Sequence, residues 1–319
     1  MSTEGGTRAI IAALGANLGI ALTKFVAFAF SGSSSMLAEG VHSLADTGNQ
    51  FLLLIGGRRA KKAADAEHPF GHGRERYVYA FVVSIILFSI GGVFSIYEGV
   101  DKLEHPHELE TWWLPVVVLV IAIGLEGFSF RTALKESAPA RGSQSVLTFI
   151  RRAKAPELPV VLLEDFAALI GLVLALLGVG LTVVTGNSAF DAIGTLAIGA
   201  LLVLVAIVLG IETKSLLVGE GASAADTERI RDAINAHPAV EALIHMKTLY
   251  LGPDELLVGA KVAFGRATTL TDIALSIDEV EAAIRAAVPV ARVIYLEPDV
   301  YIEQHDTLAT DAIVIRAAD

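Results

Sequence analysis

His42 and Asp46 stand four residues apart in MLAEGVHSLADTGNQ (residues 36–50), an otherwise largely apolar stretch. On an α-helix, positions i and i+4 share one face, about 6 Å apart along the axis. An imidazole and a carboxylate so placed can grip one divalent cation together. Glu164 and Asp165 lie in VVLLEDFAALIGL (160–172), where Asp165 sits in mid-stretch as Asp46 does. A lone buried carboxylate would neutralise itself, whereas a cation beside it keeps it ionised. His42, Asp46 and Asp165 therefore offer three N/O ligands, a set suited to zinc or a similar first-row metal. Neighbouring residues diverge by about 100° around a helix. Glu164 thus either adds a fourth ligand or faces another helix. A third group, Asp65, His68 and His72, falls in DAEHPFGHGRERY (65–77). Its two histidines flank a Pro-Gly turn, a spacing that fits a small loop-borne metal site as well as a solvated turn.

What these residues do depends on the elements that carry them. The chain has 319 residues, is 54% hydrophobic and has a mean hydropathy of +0.61. About 20 apolar residues cross a bilayer core. Stretches of that length fall at 9–31, 36–57, 77–100, 112–131, 159–184 and 190–212. They predict a membrane α-helical fold, a six-transmembrane-helix bundle. Ionisable groups at membrane depth are costly and mark function, which raises His42, Asp46 and Asp165 above polar helix glue. Lys24, in the first span, is expected to snorkel or to pair with a carboxylate. Asn49 is expected to hydrogen-bond across helices or to touch a metal-bound water.

Loop charge orients the bundle. The segments 58–76 and 131–158 carry twelve Lys and Arg residues, and the loops of the opposite side carry only Lys102. The excess places those segments, and with them both termini, in the cytoplasm. The first residues, MSTEGGTR, show no charged n-region or cleavage site, so no removable signal peptide is expected. Cysteine is absent, which removes disulfides, thiolate ligands and cysteine nucleophiles.

Beyond residue 213 the pattern turns polar and reads helix–strand–strand–helix–strand. This αββαβ order predicts a small ferredoxin-like α+β domain. The expected organisation is a cation-handling membrane domain over 8–212, an α+β dimerisation domain over 213–305 and a flexible tail over 306–319.

HSLAD in the second span, DAEHPFGHG in the following loop, six spans and a trailing α+β domain together resemble the cation diffusion facilitators, over roughly residues 8–303. The resemblance implies export of zinc or related divalent metals from the cytoplasm in exchange for protons. It also implies a homodimer that alternates between inward- and outward-facing states. On the family's pattern the transport site maps to His42, Asp46 and Asp165, and the loop site to Asp65, His68 and His72. The family's fifth-span HxxxD is incomplete, because Val161 stands where its histidine would be. Glu164 or water must fill that place, and the loss of an imidazole moves the site towards manganese, iron or cobalt. Zinc stays first because His42 remains. The family's histidine-rich dinuclear site in the C-terminal domain is reduced to His245 and Glu297, beside Lys261. Dimerisation is then expected to rest on sheet packing.

These features predict a proton-coupled divalent-cation antiporter in a plasma or inner membrane. Its partners are the metal cation, protons, lipid and a second copy of the chain, with no nucleic acid and no prosthetic group. Metal loading needs a neutral imidazole and ionised carboxylates, so it releases protons, and His42 is the natural coupling group. No HExxH or GxSxG motif supports an embedded hydrolase, and no enzymatic activity is expected. A channel, or a membrane metal sensor without flux, is the remaining alternative.

Overall fold

A computed structural model describes residues 3–106, 111–265 and 269–300, with side chains from residue 17 onward. The expected tail over 306–319, the strand end at 301–303 and His107 lie outside the described residues. The chain divides into two compact units. The first runs to Gly219 and includes Leu251–Pro253; the second holds Glu220–Tyr250 and the residues from Asp254 on.

The first unit is helical: α1 (Thr3–Ser31), α2 (Ser34–Arg59), α3 (Glu75–Ile86), α4 (Phe94–Glu104), α5 (Trp113–Arg141), α6 (Val146–Arg152), α7 (Glu157–Thr185) and α8 (Ala189–Val218). Among the described residues, four stretches are long and apolar enough to cross a membrane: Glu75–Glu104, Trp113–Arg141, Glu157–Thr185 and Ala189–Val218. The described apolar part of α1, Asn17–Ser31, is shorter. Helix α2 is diluted by Glu39, His42, Asp46 and its terminal arginines, the residues that make it interesting. Phe128, Val184 and Ile211 are among many large apolar side chains left exposed on this unit. Such a surface suits lipid, and the protein is an integral membrane protein.

Two departures from the predicted spans have local causes. The α3–α4 stretch is not a continuous α-helix, since Leu87–Val93 forms a π-helical segment. There Gly91 and Gly92 face α8, and a Cβ on Gly92 would fall 2.6 Å from Val203 Cγ2. Gly99 meets Leu196 and Gly199 meets Ile96 in the same way, so small residues bring the two backbones together. Helix α5 outruns its apolar part to Arg141, because RTALKESAPAR is rich in good helix formers. The predicted loop of 131–158 also contains α6, capped by Ser145 Oγ accepting from Thr148 N at 3.1 Å.

Helix α2 is anchored at its start by α8. Asp191 is fully buried and accepts from Ser33 Oγ at 3.0 Å, from Ser34 N at 2.9 Å and from Ser35 Oγ. A carboxylate at a helix N-terminus meets free N–H groups and the positive end of the dipole. Lys102 closes the same corner by donating to Gly32 O at 3.1 Å.

The second unit contains α9 (Ala224–Asn235), β1 (Val240–Gly252), β2 (Glu255–Phe264), α10 (Leu270–Ala287) and β3 (Ala291–Asp299). The sheet order is β1-β2-β3, with β2 and β3 parallel and Val258 opposite Ile294. Alternate residues of β2, namely Leu256, Val258, Ala260 and Val262, are buried with Ile230 and Ile234 of α9 and Val280 and Ile284 of α10. His237, where α9 ends, has Nε2 2.9 Å from Glu279 Oε2 on α10. Lys261 lies 3.2 Å from Glu297 and 2.9 Å from Asp299, and the paired carboxylates raise its pKa. Glu297 is thus engaged by a cation of its own sheet, and His245 is exposed.

Candidate metal centre

The candidates of the helical unit lie on α2 and α7, with α1 and α5 packed beside them. On α2, Glu39, His42, Asp46 and Asn49 recur at spacings of three and four, which sets them along one helical face. His42 is buried, and its Nε2 lies 3.4 Å from Asp46 Oδ2. Among the described residues, neither ring nitrogen of His42 has a hydrogen-bond partner, and neither do Asp46 Oδ1, Asn49 Oδ1 and Gln50 Oε1. Buried polar atoms are rarely left this way, and each such atom asks for an explanation. A neutral imidazole offers one acceptor nitrogen, and that nitrogen with the bare oxygens of Asp46, Asn49 and Gln50 makes the kind of row a cation needs.

Across from α2, the 100° divergence of Glu164 and Asp165 is realised. Glu164 Oε1 accepts from Asn49 Nδ2 of α2 at 2.7 Å, while Asp165 Oδ2 accepts from Ser129 Oγ of α5 at 3.0 Å. Both carboxylates are buried, as is Glu126, one turn before Ser129 on α5. Asn49 therefore does hydrogen-bond across helices, to the carboxylate whose direction the sequence left open.

Lys24 does not snorkel. Its side chain is fully buried, and its Nζ donates to Glu39 Oε2 at 2.9 Å and to Ser43 Oγ at 2.7 Å. Glu39 is a residue the sequence reading passed over. The signal was present: an acidic residue three before His42 on the same face, and a lysine in the neighbouring span already expected to snorkel or to pair with a carboxylate. The second oxygen of Glu39 has no partner among the described residues and points at Gly171 of α7, where a Cβ would lie 2.7 Å from it.

The loop group is built differently. Among the described residues, Asp65, His68 and His72 are the group whose ligand atoms all lie within 4.8 Å of one another. The intramembrane residues are not drawn together to that degree. Asp65 Oδ1 accepts from His68 N at 2.7 Å and Glu67 N at 3.1 Å, and Oδ2 accepts from Lys62 Nζ at 3.0 Å. His72 Nε2 lies 3.2 Å from the same Oδ2. Bonds from Lys62, the His68 backbone and His72 hold the Asp65 carboxyl well below the usual carboxylate range. The imidazoles stack obliquely, with ring centroids 4.3 Å apart. Gly71, at φ +75°, allows the turn that brings them together.

Comparisons with known proteins agree with this architecture. A family model described as the cation efflux transmembrane domain matches residues 10–218. The human protein named proton-coupled zinc antiporter SLC30A9, mitochondrial, is 33% identical over 77% of this chain and 44% of its own length. Metal tolerance protein C4 of Arabidopsis thaliana is 30% identical over 81% of this chain and 57% of its own. The magnetosome protein MamM of Magnetospirillum gryphiswaldense is 32% identical over 34% of this chain and 35% of its own. The chain thus spans less than half the length of the SLC30A9 proteins it matches. With the family model covering most of the sequence and lying on the helical unit, the chain belongs to the cation efflux family, a family of membrane transporters.

Proposed function

We propose that this protein is a proton-coupled antiporter that moves divalent cations, zinc foremost, out of the cytoplasm by alternating access in a homodimer. The observation that carries the reading is the buried His42–Asp46 pair, whose ring nitrogens and Asp46 Oδ1 have no hydrogen-bond partner among the described residues, in a helix flanked by Glu164 and Asp165. His42, Asp46, Asp165 and Glu164 are the residues assigned to the cation. Glu164 takes the place left by Val161, since it already reaches α2 through Asn49.

Binding requires a neutral His42 and ionised carboxylates, so loading releases protons. Reprotonation at the far side weakens the same ligands and lets the cation leave. One imidazole among three carboxylates accepts zinc and also suits manganese, iron or cobalt. The relatives named as proton-coupled zinc antiporters favour zinc. Loop charge assigns the Arg58–Arg76 segment and both termini to the cytoplasm. Asp65, His68 and His72 form a second cation site on that side, a place for the metal to dwell before entry. The sheet of the second unit serves dimerisation by packing, without bridging metal.

Flux into proteoliposomes, with internal pH recorded, tests this. Saturable zinc uptake against opposite proton movement is the expected result. Manganese or iron flux without zinc would replace the substrate, and metal binding by folded protein without any flux would favour a sensor.

A further inference from the structure

We propose that Glu39 is a second stopping point for the transported cation, one turn beyond His42 and held in place by Lys24; the proposal rests on the transport reading above. Three observations carry it. Glu39, His42 and Asp46 form one stripe on α2, so a cation bound at the last two finds the first directly along its path. Lys24 takes one oxygen of Glu39 and leaves the other, Oε1, buried and without a partner among the described residues. That bare oxygen faces Gly171, and any side chain there would begin 2.7 Å from it.

A clasp between α1 and α2 would account for the Lys24–Glu39 pair. It would not account for a carboxylate oxygen kept bare in a buried setting, since such groups are nearly always satisfied. Nor would it account for the glycine that leaves this oxygen its space.

Position gives the stop its role. Helix α2 runs from the Gly32–Ser33 turn through Glu39, His42 and Asp46 to Arg58 and Arg59. Helix α7 runs the other way, so that Glu164 meets Asn49 and Gly171 meets Glu39. Glu39 therefore lies between the His42–Asp46 pair and the end of the bundle away from the arginine-rich loop. On the loop-charge assignment that is the release side. Lys24 already neutralises the carboxylate, so a dication is held there weakly. Weak, successive sites are what passage requires.

The test uses the full chain in proteoliposomes, with zinc as the probe. Glu39→Gln removes the anionic oxygen, and Gly171→Ala fills the space beside it while keeping the ion pair. Each variant is expected to lower maximal flux about tenfold, at the low end of what loss of a ligand-supporting group does, with KM nearly unchanged. Wild-type maximal flux in Gly171→Ala would overturn the proposal, including where Glu39→Gln fails to fold because Lys24 is left unpaired. Wild-type flux in a folded Glu39→Gln would overturn it as well. Absence of zinc flux in wild type would overturn the transport reading, and the stopping point with it.

Discussion

Two groups of histidine and carboxylate side chains in the membrane unit follow opposite plans. The loop trio is close-set, with each oxygen of Asp65 already hydrogen-bonded and His68 exposed. The α2 stripe is spread over three turns, deeply buried and unsatisfied at atom after atom. The loop can hold its shape whatever is bound, because Lys62 and backbone N–H groups meet its charge. The stripe carries acceptors that its own protein does not answer. A resting site can afford to be complete in itself; a site that must take up and give away its occupant is better left incomplete.

The sharpest way to break that contrast is at Asp46. Asp46→Asn should reduce zinc flux by about 100-fold or more, since loss of a direct ligand exceeds the 10–100-fold typical of outer-shell partners. Retained flux in folded protein would remove the stripe from the transport path. A smaller effect is expected from the groups that aim Glu164 and Asp165. Asn49→Ala and Ser129→Ala should each raise the zinc KM by about tenfold, read from initial rates over a concentration series. In the loop, His68→Ala with His72→Ala should abolish binding at that site, seen as one fewer cation per chain in calorimetry. Maximal flux should stay within about threefold of wild type, a figure set by the expectation that this site acts before the membrane step. A loss equal to that of Asp46→Asn would merge the two groups into one machine.

The smallest expected effect concerns pH. The Asp65 carboxyl titrates lower in the folded loop than in an unfolded chain. Its contribution to loop order is therefore present above about pH 4, the ordinary carboxylate range, and is lost as pH falls further. Protection of His68 N and Glu67 N from hydrogen exchange, taken relative to the intrinsic rate at the same pH, should fall on acidification below that range. Asp65→Asn should show the faster exchange already at pH 7. Equal exchange in both proteins at neutral pH would mean that the carboxylate does not order the loop.

The sequence made the helical periodicity of the stripe readable, because spacing of three and four is a local property. His42, Asp46 and Asn49 followed from it. The opposed directions of Glu164 and Asp165 followed from 100° per residue, though which neighbour each meets did not. Pairing of Lys24 with a carboxylate was one of its two expected fates, but Glu39 as the partner escaped because their meeting depends on the level at which α1 lies against α2, and no spacing within either helix contains that. The π-helical segment at Leu87–Val93 escaped for a related reason. Hydropathy is the same for either winding, and the choice is made by Gly91 and Gly92 packing on α8. The αββαβ order was legible from alternation in β2 and the amphipathic run of α10. The extension of α5 to Arg141 was missed because hydropathy marks where a helix leaves lipid, not where it ends.

The buried Asp191 at the start of α8 has a consequence for biosynthesis. The turn joining α1 to α2 emerges from the ribosome first, yet its Ser34 N–H and the Ser33 and Ser35 hydroxyls find their acceptor 156 to 158 residues later. Until α8 is inserted, the first hairpin must keep that end in contact with water or headgroups. Its docking is therefore the event that seals the bundle at this end. A chain stalled before Asp191 would leave that corner open, with the Ser34 N–H and the Ser33 and Ser35 hydroxyls lacking this acceptor.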